Sequence, residues 1–160
     1  MAISPNVTFV SGAVFTAAQA NQFPFGIVAK ATSTTNYTLT TTMTATTGMT
    51  VTWTAIANRN YKITYYEPVV ETTSAASGQT NLKLFQTNTA GTQLNQGFVS
   101  NSAAVKVLGS ANVVTVNGNF SAGSITVIGA ANTTSITGTP VLQRNLFFAA
   151  SLIVEDMGPS

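Results

Sequence analysis

The sequence predicts an all-β protein, an antiparallel two-sheet sandwich that is jelly-roll-like, preceded by a short N-terminal arm containing one helical turn. Three observations carry this. Threonine alternates with apolar residues over long stretches, the pattern of strands with one buried and one wetted face. Turn-forming clusters of Gly, Asn and Ser recur at strand-length intervals. Only 6% of the 160 residues are charged, with no histidine and no cysteine, which with this patterning reads as a β domain with a hydroxyl-rich surface and rules out a disulfide framework.

Residues Asn6 to Val10 alternate and read as a first short strand. The stretch Val14 to Gln22 changes character: Thr16 is placed to N-cap a turn of helix, the alanines after it favour that turn, and Pro24 stops it. Phe15, Phe23 and Phe25 surround this small element, and Phe9 precedes it. So many phenylalanines predict that the arm, residues 1–26, docks on a surface, either its own sandwich or a neighbouring subunit. Residues 27–160 form the sandwich domain.

From residue 36 the period of two is strong. Tyr37, Leu39, Met43, Met49, Val51, Trp53, Ala55, Ala57, Tyr61, Ile63 and Tyr65 all fall on odd positions, which makes that parity the buried face. Thr46 to Gly48 and Asn58 to Asn60 supply turn chemistry between the runs, so 36–71 reads as three antiparallel strands in a meander. Pro68 costs a ladder hydrogen bond and predicts an edge or a bulge there. Thr72 to Gly78 is a small-residue loop. Leu82 to Phe85 resumes a strand, Asn88 to Gly91 turns into another ending near Val99, and Val105 to Val107 is a further strand closed by Gly109 and Ser110. Val113 to Phe120 contains Asn117-Gly118, the pair favoured by a type I′ hairpin. Ile125 to Ile128 and Leu146 to Val154 complete eight to ten strands. That spacing favours a jelly roll over an immunoglobulin-like order.

Composition removes most catalytic chemistry. Without histidine the usual nucleophile–base pair is missing, no Ser-x-x-Lys motif replaces it, and no Gly-rich phosphate cradle exists. The four carboxylates, Glu67, Glu71, Glu155 and Asp156, show no metal-loop spacing. Glu67 and Glu71 share a parity, but charge at a strand end commonly blocks edge pairing. Glu155 and Asp156 read as a solvated strand exit or a contact to a basic neighbour. No enzyme activity and no cofactor is expected.

The six cations, Lys30, Arg59, Lys62, Lys83, Lys106 and Arg144, are scattered rather than clustered, which does not suit nucleic acid. The start, Met1 to Pro5, lacks a basic segment before an apolar core, and no apolar run reaches membrane-spanning length, so neither a secretory signal nor a membrane partner is expected. Four Asn-x-Ser/Thr triplets, at Asn6, Asn36, Asn119 and Asn132, are what a chain rich in Asn and Thr makes by chance. Among the aromatics that could stack on a sugar, Trp53, Tyr61 and Tyr65 carry the buried parity. Tyr66 alone points outward. A mean hydropathy of +0.27 with so little charge predicts a surface that is covered in assembly.

Three segments carry a family resemblance. VTFVSGAVFTAAQANQFPFG (7–26) resembles the "sGxvlTAaqxNxlpfG" opening of small structural proteins of tailed bacteriophages. RNYKITYYE (59–67) is similar to a strand of the same group, and LIVEDMGP (152–159) resembles its "LxVEDiGP" ending. Residues 72–140 carry no such motif. The group spans capsid decoration, tail and fibre proteins. The resemblance implies a virion protein made in the cytoplasm of a bacterial host. It further implies an oligomeric capsid-decorating (cement) protein that stabilises the head, with a tail or head fibre component that binds the host surface as the alternative. A carbohydrate-binding module is a distant third. The implied partners are further copies of the chain, as a homotrimer, and the major capsid protein or another virion protein, with a host surface glycan for the fibre reading. The expected contacts are Phe9, Phe15, Phe23 and Phe25 for attachment or subunit interface, with Tyr66, Glu155 and Asp156 as further surface contacts.

Overall fold

The alternation becomes twelve strands and one turn of helix in the computed structural model, which describes residues 11–12, 14–72, 78–101, 107–108, 112–134 and 140–160. The expected strand at Asn6 to Val10, and Phe9 with it, lie outside the described residues, as do residues 73–77, Val105, Lys106, Gly109 and Ser110. After α1 (Ala17–Ala20) come β1 (Gly26–Ser33), β2 (Tyr37–Thr38), β3 (Thr44–Ala55), β4 (Arg59–Glu67), β5 (Val69–Thr72) and β6 (Gly78–Gln86). The chain continues through β7 (Gln93–Asn101), β8 (Val107–Leu108), β9 (Asn112–Asn119), β10 (Gly123–Thr133), β11 (Val141–Gln143) and β12 (Ala150–Pro159).

Two four-stranded sheets, ordered β1-β12-β4-β9 and β3-β10-β6-β7, face each other. Counting only those eight strands along the chain, the orders are 1-8-3-6 and 2-7-4-5, the interlocked Greek keys of a jelly roll. The four short strands form a third sheet, β2-β11-β5-β8. Each of them lies in a connection that carries the chain from one large sheet to the other, so all four gather at one end of the sandwich.

The expected meander over 36–71 is not formed. Strands β3 and β4 belong to opposite sheets: β3 pairs with β10 (Trp53 opposite Ile125) and β4 with β12 (Tyr65 opposite Leu152). The turn at Asn58, with φ of 59°, therefore carries the chain across the core instead of closing a hairpin. The odd-numbered side chains of the two strands meet face to face, with the Trp53 and Tyr61 rings 5.7 Å apart. Alternation fixes which face is buried, and it is silent about whether the buried faces share a sheet.

Three further expectations change for related reasons. Pro68 marks neither an edge nor a bulge: β4 is an interior strand, still in register at Glu67 opposite Asn112, and Pro68 ends it so that β5 can enter the third sheet. Asn117-Gly118 is not a hairpin turn but lies within β9, with Gly118 opposite Tyr61. The chain turns later, before Gly123, whose φ of 123° suits glycine. The last strand begins at Ala150, and Leu146 to Phe148 form an exposed turn ahead of it.

The core between the sheets is continuous. Met49, Val51, Trp53, Tyr61, Ile63, Leu82, Leu84, Val127, Leu152 and Val154 are all buried in one cluster. Each such side chain contributes about 1.5–3 kcal/mol relative to exposure. Phe120 completes an aromatic group, edge-on to Trp53 at 5.4 Å. A second small cluster, Phe85, Ile128 and Ala130, sits on the opposite face of β6 and β10. Residues 40–43 are held to that sheet by Thr133 N donating to Thr40 O and Asn132 Nδ2 to Thr41 O, and they bring Met43 onto the cluster.

Candidate functional site

The arm is anchored by one guanidinium. Thr16 caps α1 as the sequence predicts: its Oγ1 accepts from Gln19 N at 3.2 Å, and the Gln19 side chain accepts from Thr16 N at 2.9 Å. Beyond this single turn, Arg59 on β4 donates to the carbonyls of Asn21 and Phe23, both at 2.6 Å. Its Cζ also lies 4.0 Å from the centroid of the Phe25 ring. The same guanidinium forms a bidentate pair with Asp156 on β12, Nε to Oδ2 at 2.6 Å and Nη2 to Oδ1 at 2.7 Å. Asp156 also accepts from Gly158 N at 2.8 Å, where β12 bulges and Gly158 lies against Pro24.

Asp156 is therefore not a surface contact. It is 1% exposed and carries the even parity of its buried neighbours Leu152 and Val154. Glu155 stays partly exposed and pairs with Lys62 across the ladder at 3.2 Å. Tyr66 points outward as expected, on the outer face beside Ser151 and half-buried. Trp53, Tyr61 and Tyr65 are inside the core, so they present no sugar-stacking platform.

The arm docks on its own sandwich and still leaves its apolar side chains outward. Val14 is 84% exposed and Phe25 50%, and Phe15, Phe23 and Ile27 are also exposed. The three segments that carry the family resemblance converge here: 7–26 supplies the arm, 59–67 the arginine, and 152–159 the carboxylate.

The opposite end has a matching plan. Glu67 was expected as a strand-end charge that blocks edge pairing; it is instead fully buried, because Arg144, 77 residues away, reaches it through Nε to Oε2 at 3.0 Å and through a second contact from Nη2 to Oε1. Arg144 also donates Nη1 to Thr47 O at 2.8 Å, and its backbone N to Asn36 Oδ1 at 2.7 Å. Tyr65 donates to Glu67 Oε1 at 2.5 Å and shares a 2.9 Å hydrogen bond with Thr46. Burial pushes the Tyr65 hydroxyl well above its ordinary pKa, and the Glu67 charge and hydrogen bond add to that.

Directly after Arg144, Asn145 closes a tight turn, its Oδ1 accepting from Phe147 N at 2.8 Å and Phe148 N at 2.9 Å. The turn holds Leu146, Phe147 and Phe148 outward at 86%, 90% and 53% exposure. Reading 146–154 as one strand missed this tip. Its signal was Asn145 followed by three bulky apolar residues in a row, which breaks the period of two.

Sequence and structure comparisons identify no family. No protein-family model and no curated protein matches the chain. Among solved structures it is similar to the CBM22-1 xylan-binding domain of Paenibacillus barcinonensis Xyn10C, at 12% identity and a TM-score of 0.33, over 82% of this chain and 87% of that one. It is also similar to a chain of infectious bursal disease virus, Gx strain, at 14% identity and a TM-score of 0.25, over 98% of this chain and 46% of that one.

What the ends can do follows from the distribution of charge. The two arginines are both consumed in buried pairs, and Lys62 is paired with Glu155. Lys83 donates to Gln93 Oε1 at 2.8 Å on the surface. Among the described residues no group of three or more His, Cys, Asp or Glu side chains is placed to hold a metal, and no helix is long and apolar enough to cross a membrane. A depression of about 490 Å³ is lined by Asn60, Tyr61, Lys62, Asn117, Gly118, Asn119 and Met157. The chemistry on offer is exposed apolar side chains at two ends and a mostly apolar depression bordered by three amides on one sheet face.

Proposed function

We propose that this chain is a virion structural protein, an oligomeric capsid-decorating subunit that stabilises a bacteriophage head by tying neighbouring subunits together. The observation that carries the reading is the arm end: a buried Arg59–Asp156 pair holds a segment whose phenylalanines remain outward. A side chain anchored at such cost and left exposed is built for a partner. The near-absence of surface charge, the jelly-roll order and the resemblance of 7–26, 59–67 and 152–159 to tailed-phage structural proteins support the same reading. In it the partners are other copies of the chain, as a trimer, and the major capsid protein, and the protein resides in the virion after synthesis in the bacterial cytoplasm.

A tail or head fibre role that binds a host surface glycan is the second reading, for which the depression lined by Asn60, Lys62, Asn117, Asn119 and Met157 offers a mostly apolar lining with three amides. Copy number per particle, measured by quantitative mass spectrometry of purified virions, decides between them. Hundreds of copies support decoration; a few to a few tens support the fibre reading, and absence from the particle overturns both.

A further inference from the structure

We propose that the depression on the outer face of the β1-β12-β4-β9 sheet binds a neutral pyranose, one sugar unit of a surface glycan. The inference rests on the second reading of function above and gives it a ligand class and named residues. Asn60 stands opposite Asn119, and Lys62 opposite Asn117, across β4 and β9. Their neighbours Tyr61 and Ile63 are buried, so alternation puts all four on the outer face. The hollow they border, about 490 Å³, is within the range of small-ligand sites.

A bulge makes the hollow. Strand β12 shifts register between Asp156 and Gly158, so Met157 is the extra residue and Gly158, with no side chain, stands opposite Asn60. Met157 lines the hollow with an adaptable thioether, and Gly118 lines it without a side chain. The bulge is fixed from the core side: Asp156 Oδ1 accepts from Gly158 N at 2.8 Å while the same carboxylate pairs with Arg59. The site is thus shaped before a ligand arrives, which lowers the ordering cost of binding.

The lining selects the ligand. Lys62 Nζ is paired with Glu155 Oε2 at 3.2 Å, which balances the charge of the site and leaves the lysine methylenes as wall. The side-chain amides of Asn117 and Asn119 have no hydrogen-bond partner among the described residues, and they stand two residues apart, about 7 Å along β9. An amide both donates and accepts, as a hydroxyl does. A pyranose meets these terms together: its C–H face covers the apolar lining, its hydroxyls reach the amides, and it carries no charge. A purely apolar ligand would leave the amides unpaired, and an anion finds its cation already taken. An extended peptide pairs with a strand edge, whereas this hollow lies on a sheet face.

The test is an NMR titration of the full chain with the methyl glycosides of glucose, galactose, mannose and N-acetylglucosamine. At least one should bind with a dissociation constant on the order of 1–10 mM, as a ligand of about twelve heavy atoms allows. It should shift the side-chain amide signals of Asn117 and Asn119 and the Met157 methyl, and leave the opposite sheet unchanged. Asn117→Ala with Asn119→Ala, both exposed positions, should weaken binding about tenfold with the near-UV circular dichroism unaltered. Gln96→Ala, on the opposite sheet, should bind as wild type does. No shift with any of the four sugars, shifts confined to other residues, or a double variant that binds as well as wild type overturns the site. A methyl glucuronide that binds better than every neutral sugar, or a blocked tripeptide that shifts these signals where no sugar does, overturns the ligand class. A sugar bound here by a chain present at hundreds of copies per virion keeps the site and removes the fibre reading; a chain present at a few copies with no sugar bound here keeps the fibre reading and removes the site.

Discussion

Arg59 and Asp156, 97 residues apart in sequence, form a buried bidentate pair whose remaining donors hold the carbonyls of Asn21 and Phe23. One side chain thus joins the N-terminal arm to two adjacent strands of the sandwich. Burying both charges is costly, and the geometry offsets that cost by satisfying four donor contacts at once.

Arg59→Leu should therefore do more than loosen the arm. It leaves Asp156 buried without its cation, and a broken buried pair costs about 3–5 kcal/mol. Urea unfolding should show that loss, and limited proteolysis should cut residues 14–25 faster than in wild type. A variant with unchanged stability and an equally protected arm would remove Arg59 from its anchoring role.

The second pair allows a cleaner separation of pairing from packing. Glu67→Leu alone strands Arg144 and should destabilise by about 3–5 kcal/mol, whereas Glu67→Leu with Arg144→Met should recover most of it, because both buried charges leave together. The double-mutant cycle is read by denaturant unfolding. Additive losses would contradict the coupling.

How much of this was legible in the sequence varies by residue. The parity of Met49 to Ala55 and Tyr61 to Tyr65 placed the core, and Thr16 announced its own cap, because both signals are local. Strand partners were not legible. Trp53 faces Ile125 rather than a neighbour in sequence, and that choice is made by the closure of the whole sandwich. The buried carboxylates were half legible: Glu67 and Asp156 stand on the buried parity of their strands, but their cations are 77 and 97 residues away. The tip at Leu146 to Phe148 was hidden because an apolar run reads as strand until Asn145 is seen to close a turn. Of the expected attachment residues, Phe15, Phe23 and Phe25 gather at one end with Arg59; of the expected surface contacts, Glu155 and Tyr66 lie on the outer sheet face.

Alkaline pH should probe the Glu67 network through Tyr65. Its folded pKa is raised above the ordinary value of 10.0, so its contribution to stability is complete below about pH 10 and is lost as pH rises through the folded value. Unfolding midpoints measured from pH 8 to 11 should fall above pH 10. Tyr65→Phe should be less stable at neutral pH, by about 1–3 kcal/mol for the hydrogen bonds lost, and should show a shallower alkaline decline. An equally steep decline in that variant would assign the effect to another group.

Gly129 lies under the same ring, and a Cβ there would stand 2.9 Å from Tyr65 Cε2. Tyr65 is fully buried and hydrogen-bonded, so the ring has little room to give way. Gly129→Ala should cost about 1–3 kcal/mol by overpacking, read as a lower thermal midpoint. No change would mean that the ring repacks freely.

The central claim is that this chain assembles through apolar contacts rather than ion pairs. Sedimentation of the full chain at micromolar concentration, in about 0.1 M and then 1 M salt, shortens the Debye length from about 10 Å to about 3 Å and tests that claim directly. The oligomer should keep the same mass across the range. A stable monomer in low salt, or an oligomer that falls apart as the salt rises, would contradict it.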